Sequence, residues 1–260
     1  MISRLGRLSS LLLTHVPCPV SAHKWIRHAS NRGSSSKYIA RQKRDEFVKR
    51  RKIDGLGFVS RSAYKLEQLA FKYPFLQPGR VIVDLGAAPG GWSQAILHQC
   101  PDVRLFSLDI LPLSFSSPRV TFVHGDFTGP RVREQLSQRI LQDTCSVDTK
   151  VDVVLSDMMA NTSGHRIRDA QASLDLCSSA FEFCRQMLRP SQALQNPTKD
   201  ARTSSVFICK YYMSAEADQF RRDILEPSFE YVRAEKMAAS RAESREQYWV
   251  CIGYRGNGTA

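Results

Sequence analysis

A glycine-rich segment at residues 81–93 constrains the fold of this chain more than any other feature of its sequence. A short apolar run ends in an acid, a turn rich in glycine follows, and an amphipathic stretch begins directly afterwards. This order predicts a strand, a tight loop and a helix, the unit that brings backbone N–H groups against a small polar ligand. The candidate binding residues are Asp84, Gly86, Ala87, Pro89, Gly90, Gly91 and Trp92. The segment therefore predicts a nucleotide-type pocket.

Runs of strand length and stretches of helix length alternate along the rest of the chain. Strands are expected at 81–85, 103–109, 120–124, 151–156, 204–210, 229–235 and 247–253, and helices near 60–73, 91–99, 129–142, 168–189 and 214–226. Such alternation predicts a mostly parallel sheet with helices on both faces. Because no helix fits between the last two strands, they are expected to form a closing antiparallel hairpin. The prediction is a Rossmann-like α/β fold with seven strands, and the polar segment 191–203 is expected to be an irregular surface loop.

Four acids stand at the ends of the first four expected strands. They are Asp84, Asp109, Asp126 and Asp157. In such a fold, ligands lie beyond the carboxyl ends of the strands. An acid after the second strand can accept both ribose hydroxyls of a nucleoside, and one after the third can accept an adenine amino group. Each acid taken alone is equally well explained as a turn or helix-cap residue, but four at consecutive strand ends favour a ligand site.

The positive charge of the chain is concentrated near its start. Of the 260 residues, 42% are hydrophobic and the net charge is +12, yet residues 1–44 hold nine Lys or Arg and no acid. The remainder has 28 basic and 25 acidic side chains, so overall basicity is not itself a sign of nucleic-acid binding. Apolar runs are too short for a membrane span, and the length suits one α/β domain at 59–255 with N-terminal extensions.

The first 30 residues have the composition of a mitochondrial transit peptide. They are rich in Arg and Ser, lack acids and carry apolar residues compatible with one helix face. Two alternatives are a secretory signal, since Leu11–Leu13 could form its apolar region, and a basic arm that binds RNA. The mitochondrial matrix is the predicted location. Residues 31–58 form a basic arm, whose part at 49–52 is either a solvated helix face or a phosphate-binding element.

Seven cysteines are present without a Cys-x-x-Cys pair or a metal-ligand spacing with histidine. Most of them fall within expected helices and strands, which predicts reduced thiols packed in the core. No metal site is expected.

The loop sequence also discriminates between cofactors. A dinucleotide site would need Gly-x-Gly-x-x-Gly, but Ala88 stands where the second glycine belongs, which argues against a nicotinamide-dependent oxidoreductase. The run from Asp84 through Gly-Ala-Ala-Pro-Gly-Gly-Trp-Ser-Gln instead resembles the S-adenosylmethionine loop of the FtsJ/RrmJ family of RNA 2′-O-methyltransferases. The resemblance extends over about residues 40–253. It implies S-adenosylmethionine as cofactor and the methyltransferase variant of the doubly wound fold.

The same resemblance implies a catalytic set that activates a ribose 2′-hydroxyl. Its members are Lys65, Asp157, Lys210 and Glu246, with Glu243 as a rival for the last position. The role of Lys210 stays open between a general base, which would need its pKa lowered by about three units, and a charged donor that orients the oxygen. One departure from the family pattern is Met-Met-Ala-Asn after Asp157, where the family usually has Met-Ala-Pro-Asn.

Segments 160–169 and 173–177 most resemble the fungal-type mitochondrial branch of the family, which modifies a uridine of large-subunit ribosomal RNA. The implied partner is mitochondrial large-subunit rRNA or its precursor particle, contacted through residues 49–52, Arg61, Arg166 and Arg168, each of which could also be a plain surface charge. DNA is excluded because it lacks the 2′-hydroxyl. Alternatives are tRNA or an mRNA cap as substrate, and a ribosome-assembly factor that kept the fold and lost catalysis.

Overall fold

A seven-stranded mixed sheet forms the centre of the protein in a computed structural model, which describes residues 57–144, 150–191, 194–240 and 244–256. In chain order the strands are β1 Val81–Leu85, β2 Arg104–Asp109, β3 Val120–His124, β4 Val153–Ser156, β5 Val206–Tyr212, β6 Phe229–Glu235 and β7 Glu246–Tyr254. Their spatial order is β3-β2-β1-β4-β5-β7-β6. Strands β1 to β5 are parallel, and β7 is antiparallel to both β5 and β6. The predicted α/β fold and its closing antiparallel hairpin are confirmed.

The helices lie between these strands much as the sequence predicts. They are α1 Ser62–Lys72, α2 Gly91–Gln99, α3 Pro130–Thr144, α4 Arg166–Met187, α5 Pro197–Asp200, α6 Ala215–Phe220 and α7 Glu226–Ser228. The single helix expected at 214–226 is wrong in one respect, because a π turn at Arg221–Leu225 separates α6 from α7. There the N–H of Glu226 bonds the carbonyl of Arg221, and the next residue, Pro227, has no N–H to continue the helix.

The sheet is buried on both faces, which explains its continuous apolar strands. Successive residues of β1 alternate between two core clusters: Val81, Val83 and Leu85 pack on one face, and Ile82 packs on the other with α1 and α2. The predicted apolar stripe of α1 is buried on that second face. Helix α1 also contacts β7 through Lys65, which donates to Glu246, so its lysine lies at the sheet edge discussed below.

The segment 191–203, expected to be an irregular loop, contains the short helix α5 instead. Asn196 caps it by accepting the N–H of Lys199, and the Asp200 carboxylate accepts the N–H groups of Gln195 and Asn196. Arg80 is 6% exposed and donates to the carbonyl oxygens of Phe75, Ala201 and Ser204. A buried guanidinium therefore anchors this segment to the start of β1.

Replacing Arg80 by methionine is expected to lower the free energy of unfolding by about 3 kcal/mol, because three carbonyl groups would lose their charged donor. Urea denaturation of the variant and the wild type measures this. The matched control is Arg104→Met, which removes an exposed arginine at the start of β2. Equal effects of the two substitutions would contradict the anchoring role of Arg80.

The structure bears on some of the other sequence predictions, and several lie outside the residues it describes. The five described cysteines are free and buried, as predicted: Cys100, Cys177, Cys184, Cys209 and Cys251. Within the described residues, no helix combines the length and hydrophobicity that a membrane span requires, and no group of three or more His, Cys, Asp or Glu could hold a metal ion. The predicted transit peptide, the basic arm up to residue 56 and Glu243 lie outside the described residues.

Candidate active site

The carboxyl ends of the parallel strands bring most of the predicted site residues to one edge of the sheet. Asp84 is the fourth residue of β1 and Asp109 is the last of β2, while Asp157 directly follows β4. Lys210 lies near the end of β5. Because parallel strands end at the same edge, residues far apart in sequence meet there.

The glycine loop after β1 is packed against protein on both sides. Gly86 has a φ of 77°, and a Cβ atom there would lie 2.7 Å from Cα of Met158, in the loop after β4. Gly90 has a φ of 114°, and a Cβ atom there would collide with the Phe115 ring. Gly91 begins α2. Gly86 and Gly90 are thus required by contacts with neighbouring protein segments and by their left-handed backbone. These requirements add to the one predicted from sequence, the close approach of a ligand to the backbone.

Asp109 connects the glycine loop to the end of β2. Its Oδ2 accepts the N–H of Ala88 at 2.9 Å, and the N–H groups of Gly86 and Ala87 bond the carbonyl of Leu108. Two apolar side chains directly after Asp109, Ile110 and Leu111, are each 60% exposed. An apolar surface beside a carboxylate suits a nucleoside, whose base is flat and whose ribose is polar. Sequence reasoning missed this pair, although apolar residues beyond the strand end were a readable signal.

Three other predicted cofactor residues have different surroundings. Asp126 is exposed, and its Oδ1 accepts the N–H and the hydroxyl of Thr128, which lower the pKa of Asp126. This is the turn role considered from sequence; a contact with adenine stays a prediction. Pro89 is exposed in the loop. The Trp92 ring is 2% exposed, donates to the carbonyl of Ser62 and packs against Tyr248, so it lies in the core beneath the glycine loop. A contact of Trp92 with the cofactor stays a prediction.

Asp84 is a buried carboxyl group beneath the glycine loop. Its Oδ2 accepts the hydroxyl of Ser93 at 2.7 Å, and Ser93 also contacts the hydroxyl of Ser107. Its Oδ1 is buried and has no hydrogen-bond partner. Burial is the main cause that raises the pKa of Asp84 to about 7, and the charges of Asp157 and Asp109 add to it. A buried oxygen of this kind lacks a partner that a bound ligand or an ordered water would supply.

Two ion pairs contain the four predicted catalytic residues. Lys65 of α1 lies 2.5 Å from Oε1 of Glu246 on β7. Lys210 lies 3.1 Å from Oδ1 of Asp157 and donates to the Asp157 carbonyl at 2.5 Å. All four side chains are at most 15% exposed. The structure therefore brings together residues that are up to 181 positions apart.

Tyr248 joins the two ion pairs, and sequence reasoning missed it. Its hydroxyl donates to Oδ1 of Asp157 at 2.7 Å and lies 3.2 Å from the Lys65 ammonium and 3.4 Å from Oε1 of Glu246. The antiparallel register explains this position, because Lys210 pairs with Tyr248 across β5 and β7 and their side chains share one face. An aromatic residue in an apolar strand is read from sequence as core packing, which Tyr248 also provides.

The electrostatics of the cluster keep its charges in place. Burial raises the pKa of Asp157, but the Lys210 and Lys65 charges outweigh burial and leave it below its ordinary value. Burial lowers the pKa of Lys210, and the carboxylates of Asp157 and Glu246 more than compensate, so that it is raised. Burial and the same two carboxylates raise the pKa of Tyr248 well above its ordinary value. At neutral pH the cluster thus holds an ammonium at Lys210, a carboxylate at Asp157 and a neutral phenol.

The predicted RNA-contacting arginines divide into two kinds. Arg166 and Arg168 are exposed at the start of α4. Arg61 is half-buried and donates to the carbonyl of Ala239, so it also holds α1 to the connection between β6 and β7. The basic residues at 49–52 lie outside the described part of the chain.

Comparison with known proteins is consistent with this geometry. Residues 58–254 match the family of FtsJ-like methyltransferases. The chain belongs to this family. A ribosomal RNA large subunit methyltransferase E of Afipia carboxidovorans is 35% identical over 239 residues, which cover 90% of this chain and 96% of that protein. One from Acinetobacter baumannii is 36% identical over 221 residues, or 85% and 92% of the two chains.

A solved structure agrees with the assignment to FtsJ-like methyltransferases. A Plasmodium falciparum protein provisionally described as a ribosomal RNA methyltransferase superposes with a TM-score of 0.62 at 28% identity. The match covers 76% of this chain and 99% of that one.

FtsJ-like methyltransferases use S-adenosylmethionine as methyl donor, and the residues at the sheet edge fit it. The donor has a sulfonium and an ammonium group, and the unpartnered Oδ1 of Asp84 offers a buried negative partner. Asp109 with the exposed Ile110 and Leu111 offers a carboxylate and an apolar surface for the adenosine part. These residues would hold the donor between the glycine loop and the ends of β1 and β2.

Replacing Tyr248 by phenylalanine in this methyltransferase is expected to reduce kcat by about 10- to 100-fold. Asp157 would lose the hydrogen bond from the phenol, and the two ion pairs would lose the hydroxyl that contacts both of them. The affinity for S-adenosylmethionine should change less than about twofold, since the hydroxyl bonds none of the predicted cofactor residues other than Asp157. Single-turnover rates and calorimetric titration measure the two quantities. The control is Tyr231→Phe, a tyrosine on β6 that pairs with Ile252 of β7. A similar loss of kcat in this control would contradict a specific role of Tyr248.

Proposed function

We propose that this protein is an S-adenosylmethionine-dependent 2′-O-methyltransferase of large-subunit ribosomal RNA. The observation that supports it most is the pair of linked ion pairs, Lys65 with Glu246 and Lys210 with Asp157, at the ligand edge of the sheet. The relatives named ribosomal RNA large subunit methyltransferase E support rRNA as the substrate class. We further propose that the acceptor is a uridine, on the resemblance of segments 160–169 and 173–177 to the mitochondrial branch of the family.

The chemistry supplied by the cofactor is a methyl group on a sulfonium sulfur, a good leaving group in a direct displacement. The chain's own residues have to align the acceptor oxygen with that methyl group, since positioning provides much of the rate. The Lys210 ammonium, raised in pKa and facing the loop after β4, donates a hydrogen bond to the 2′-oxygen. It thereby orients a lone pair and stabilises negative charge that develops on the oxygen.

The acceptor proton passes to the Asp157 carboxylate in this proposal. A low pKa makes Asp157 a weak base toward a free hydroxyl. However, the hydroxyl becomes strongly acidic as its oxygen bonds the methyl carbon, so a weak base suffices late in the reaction. Lys65 and Tyr248 hold Glu246 and Asp157 in position. Of the two roles considered for Lys210, the raised pKa supports the charged donor over the general base.

The experiment uses the full chain, tritiated S-adenosylmethionine and either naked large-subunit rRNA or immature large-subunit particles from mitochondria. Nuclease digestion and mass spectrometry then locate any 2′-O-methylnucleotide. The control RNA carries a 2′-fluoro group at the labelled position. Methylation of one uridine, abolished by the fluoro substitution, would support the proposal. Tight cofactor binding without transfer to either substrate would contradict it and favour the assembly-factor alternative.

We also propose that the protein acts in the mitochondrial matrix. The composition of residues 1–30 supports this, with basic residues and no acid. A fusion of residues 1–30 to a fluorescent protein, compared with one in which Arg4 and Arg7 are replaced by glutamate, tests it. Import of the first and retention of the second in the cytosol are expected. Secretion of the first fusion, or equal distribution of both, would contradict the proposal.

A further inference from the structure

A small cavity lies beside Lys210, between the loop after β4 and the end of β5. Its walls include Met158, Met159, Asn161, Lys210 and Tyr212. Its volume is about 10 Å³, which is room for about one water molecule. No nucleoside base fits such a space without movement of a wall.

One hydrogen bond links two walls of this cavity. Lys210 and Tyr212 are two residues apart on β5 and therefore share a face. The Tyr212 hydroxyl donates to the sulfur of Met159 at 3.2 Å. Met159 is 60% exposed, so its side chain can move outward without opening the core. A thioether accepts a hydrogen bond only weakly, and methionine has three rotatable bonds, so this link between the two walls is easily broken.

The loop that carries Met159 is held at its far end. The Asp169 carboxylate accepts the N–H and the hydroxyl of Ser163 and the N–H of Gly164. Opening of the cavity can therefore take place by rotation of the Met159 side chain while the backbone at Ser163 and Gly164 stays in place. The proline that the family usually has in this loop is replaced in this chain, and Met159 provides a longer, apolar side chain just before it.

The chemistry of the acceptor places its base in this cavity. The ribose carbon that carries the 2′-oxygen is bonded directly to the carbon that carries the base. If the oxygen lies at Lys210 and Asp157, as the proposed function requires, the base lies close to the walls of this cavity, which include the exposed Met159 and the half-buried Tyr212. An aromatic ring and a flexible thioether are suitable partners for the flat face of a base.

We propose that Met159 and Tyr212 form a gate that the acceptor base opens, and that Met159 then limits the size of the base held against the Tyr212 ring. The proposal rests on the proposed function and adds a residue that selects the acceptor nucleotide. Pyrimidines fit beside the displaced methionine, and purines are disfavoured because the Met159 side chain occupies the space their second ring needs.

The test measures kcat/KM for four RNAs that differ only in the acceptor nucleotide, U, C, A or G. For Met159→Ala, the ratio of purine to pyrimidine kcat/KM should rise about tenfold, the usual scale for a small apolar group in a pocket. Tyr212→Phe keeps the ring and removes the contact with sulfur, so it should lower KM for RNA about equally for all four. The matched control is Met213→Ala, an exposed methionine whose sulfur also accepts a hydrogen bond, from Gln247.

The two levels of failure can be told apart. Transfer by the wild type, with Met159→Ala changing all four substrates by one factor, would overturn the gate and leave the proposed function standing. The same tenfold change in Met213→Ala would overturn it too. Absence of transfer by the wild type to every RNA would overturn the proposed function and the gate together.

Discussion

Replacing Lys210 by methionine is expected to lower the single-turnover rate of methyl transfer by about 10³-fold. The ammonium is the donor placed to orient the acceptor oxygen, and removing one such preorganised donor costs about 10²- to 10³-fold in other enzymes. The dissociation constant of S-adenosylmethionine should change less than about twofold, because Lys210 bonds the carboxylate and carbonyl of Asp157 and no group of the glycine loop. Rapid-quench assays and calorimetric titration measure the two effects.

Lys210→Met also breaks a buried ion pair, so folding has to be separated from chemistry. The single variant should lose about 3 to 5 kcal/mol of stability, since the Asp157 charge would be left without its partner. The double variant Lys210→Met with Asp157→Asn removes both charges and should recover much of that loss without recovering activity. Because Asp157→Asn also removes the proposed proton acceptor, the double variant reports on stability alone. A rate close to that of the wild type in the Lys210→Met variant, measured at a temperature at which circular dichroism shows it fully folded, would mean that Lys210 acts only through folding.

The pH dependence of the wild-type rate gives an independent check on Lys210. Asp157 and Glu246 raise its pKa, so the ammonium persists throughout the neutral range. If the ammonium is the active form, kcat should be nearly constant between about pH 7 and pH 9. A rate that rises tenfold per pH unit over this range would mean that Lys210 must first lose its proton, and that it is the general base.

The positions of these groups could be predicted from sequence only in part. The strand and helix pattern identified the edge of the sheet, because an apolar run such as residues 81–85 followed by glycines is rarely compatible with anything but a strand and a tight turn. The resemblance supplied Lys65, Asp157, Lys210 and Glu246, but the pairing among them depends on the register of β5 with β7. That register is set by long-range packing, which local patterns do not encode. Tyr248 was missed for this reason.

The core position of Trp92 could be anticipated from sequence, but its partners could not. The sequence is compatible both with core packing of this tryptophan beneath the glycine loop and with a cofactor contact, and the ring packs in the core against Ser62 and Tyr248. Which side of α2 faces the core depends on how α1 packs against it. Similarly, the polar composition of segment 191–203 indicated an irregular loop, and the buried contact with Arg80 that orders it comes from a residue more than a hundred positions earlier.

Replacing Asp84 by asparagine is expected to stabilise the cofactor-free protein at pH 8, by up to about 4 kcal/mol. Burial raises the pKa of Asp84 from 3.8 to about 7, a difference of about three units at about 1.4 kcal/mol each. Between these two pH values the folded protein binds a proton that the unfolded chain has lost. Stability due to Asp84 therefore falls as the pH rises from about 4 to about 7, and stays low above that range. Asparagine has no such titration.

The measurement is the free energy of unfolding of Asp84→Asn minus that of the wild type, from urea denaturation at several pH values. This difference cancels the titration of all other groups, and it should grow from about pH 4 to pH 7 and then level off. The matched control is Asp175→Asn, an exposed aspartate of α4, for which no such growth is expected. A difference for Asp84→Asn that is constant with pH would contradict a costly buried carboxylate.

The same variant should bind S-adenosylmethionine at least tenfold more weakly if Oδ1 is kept unpartnered for the donor's positive groups. A gain in stability coupled to a loss of binding would then explain why a buried acid with an unsatisfied oxygen is retained under the glycine loop.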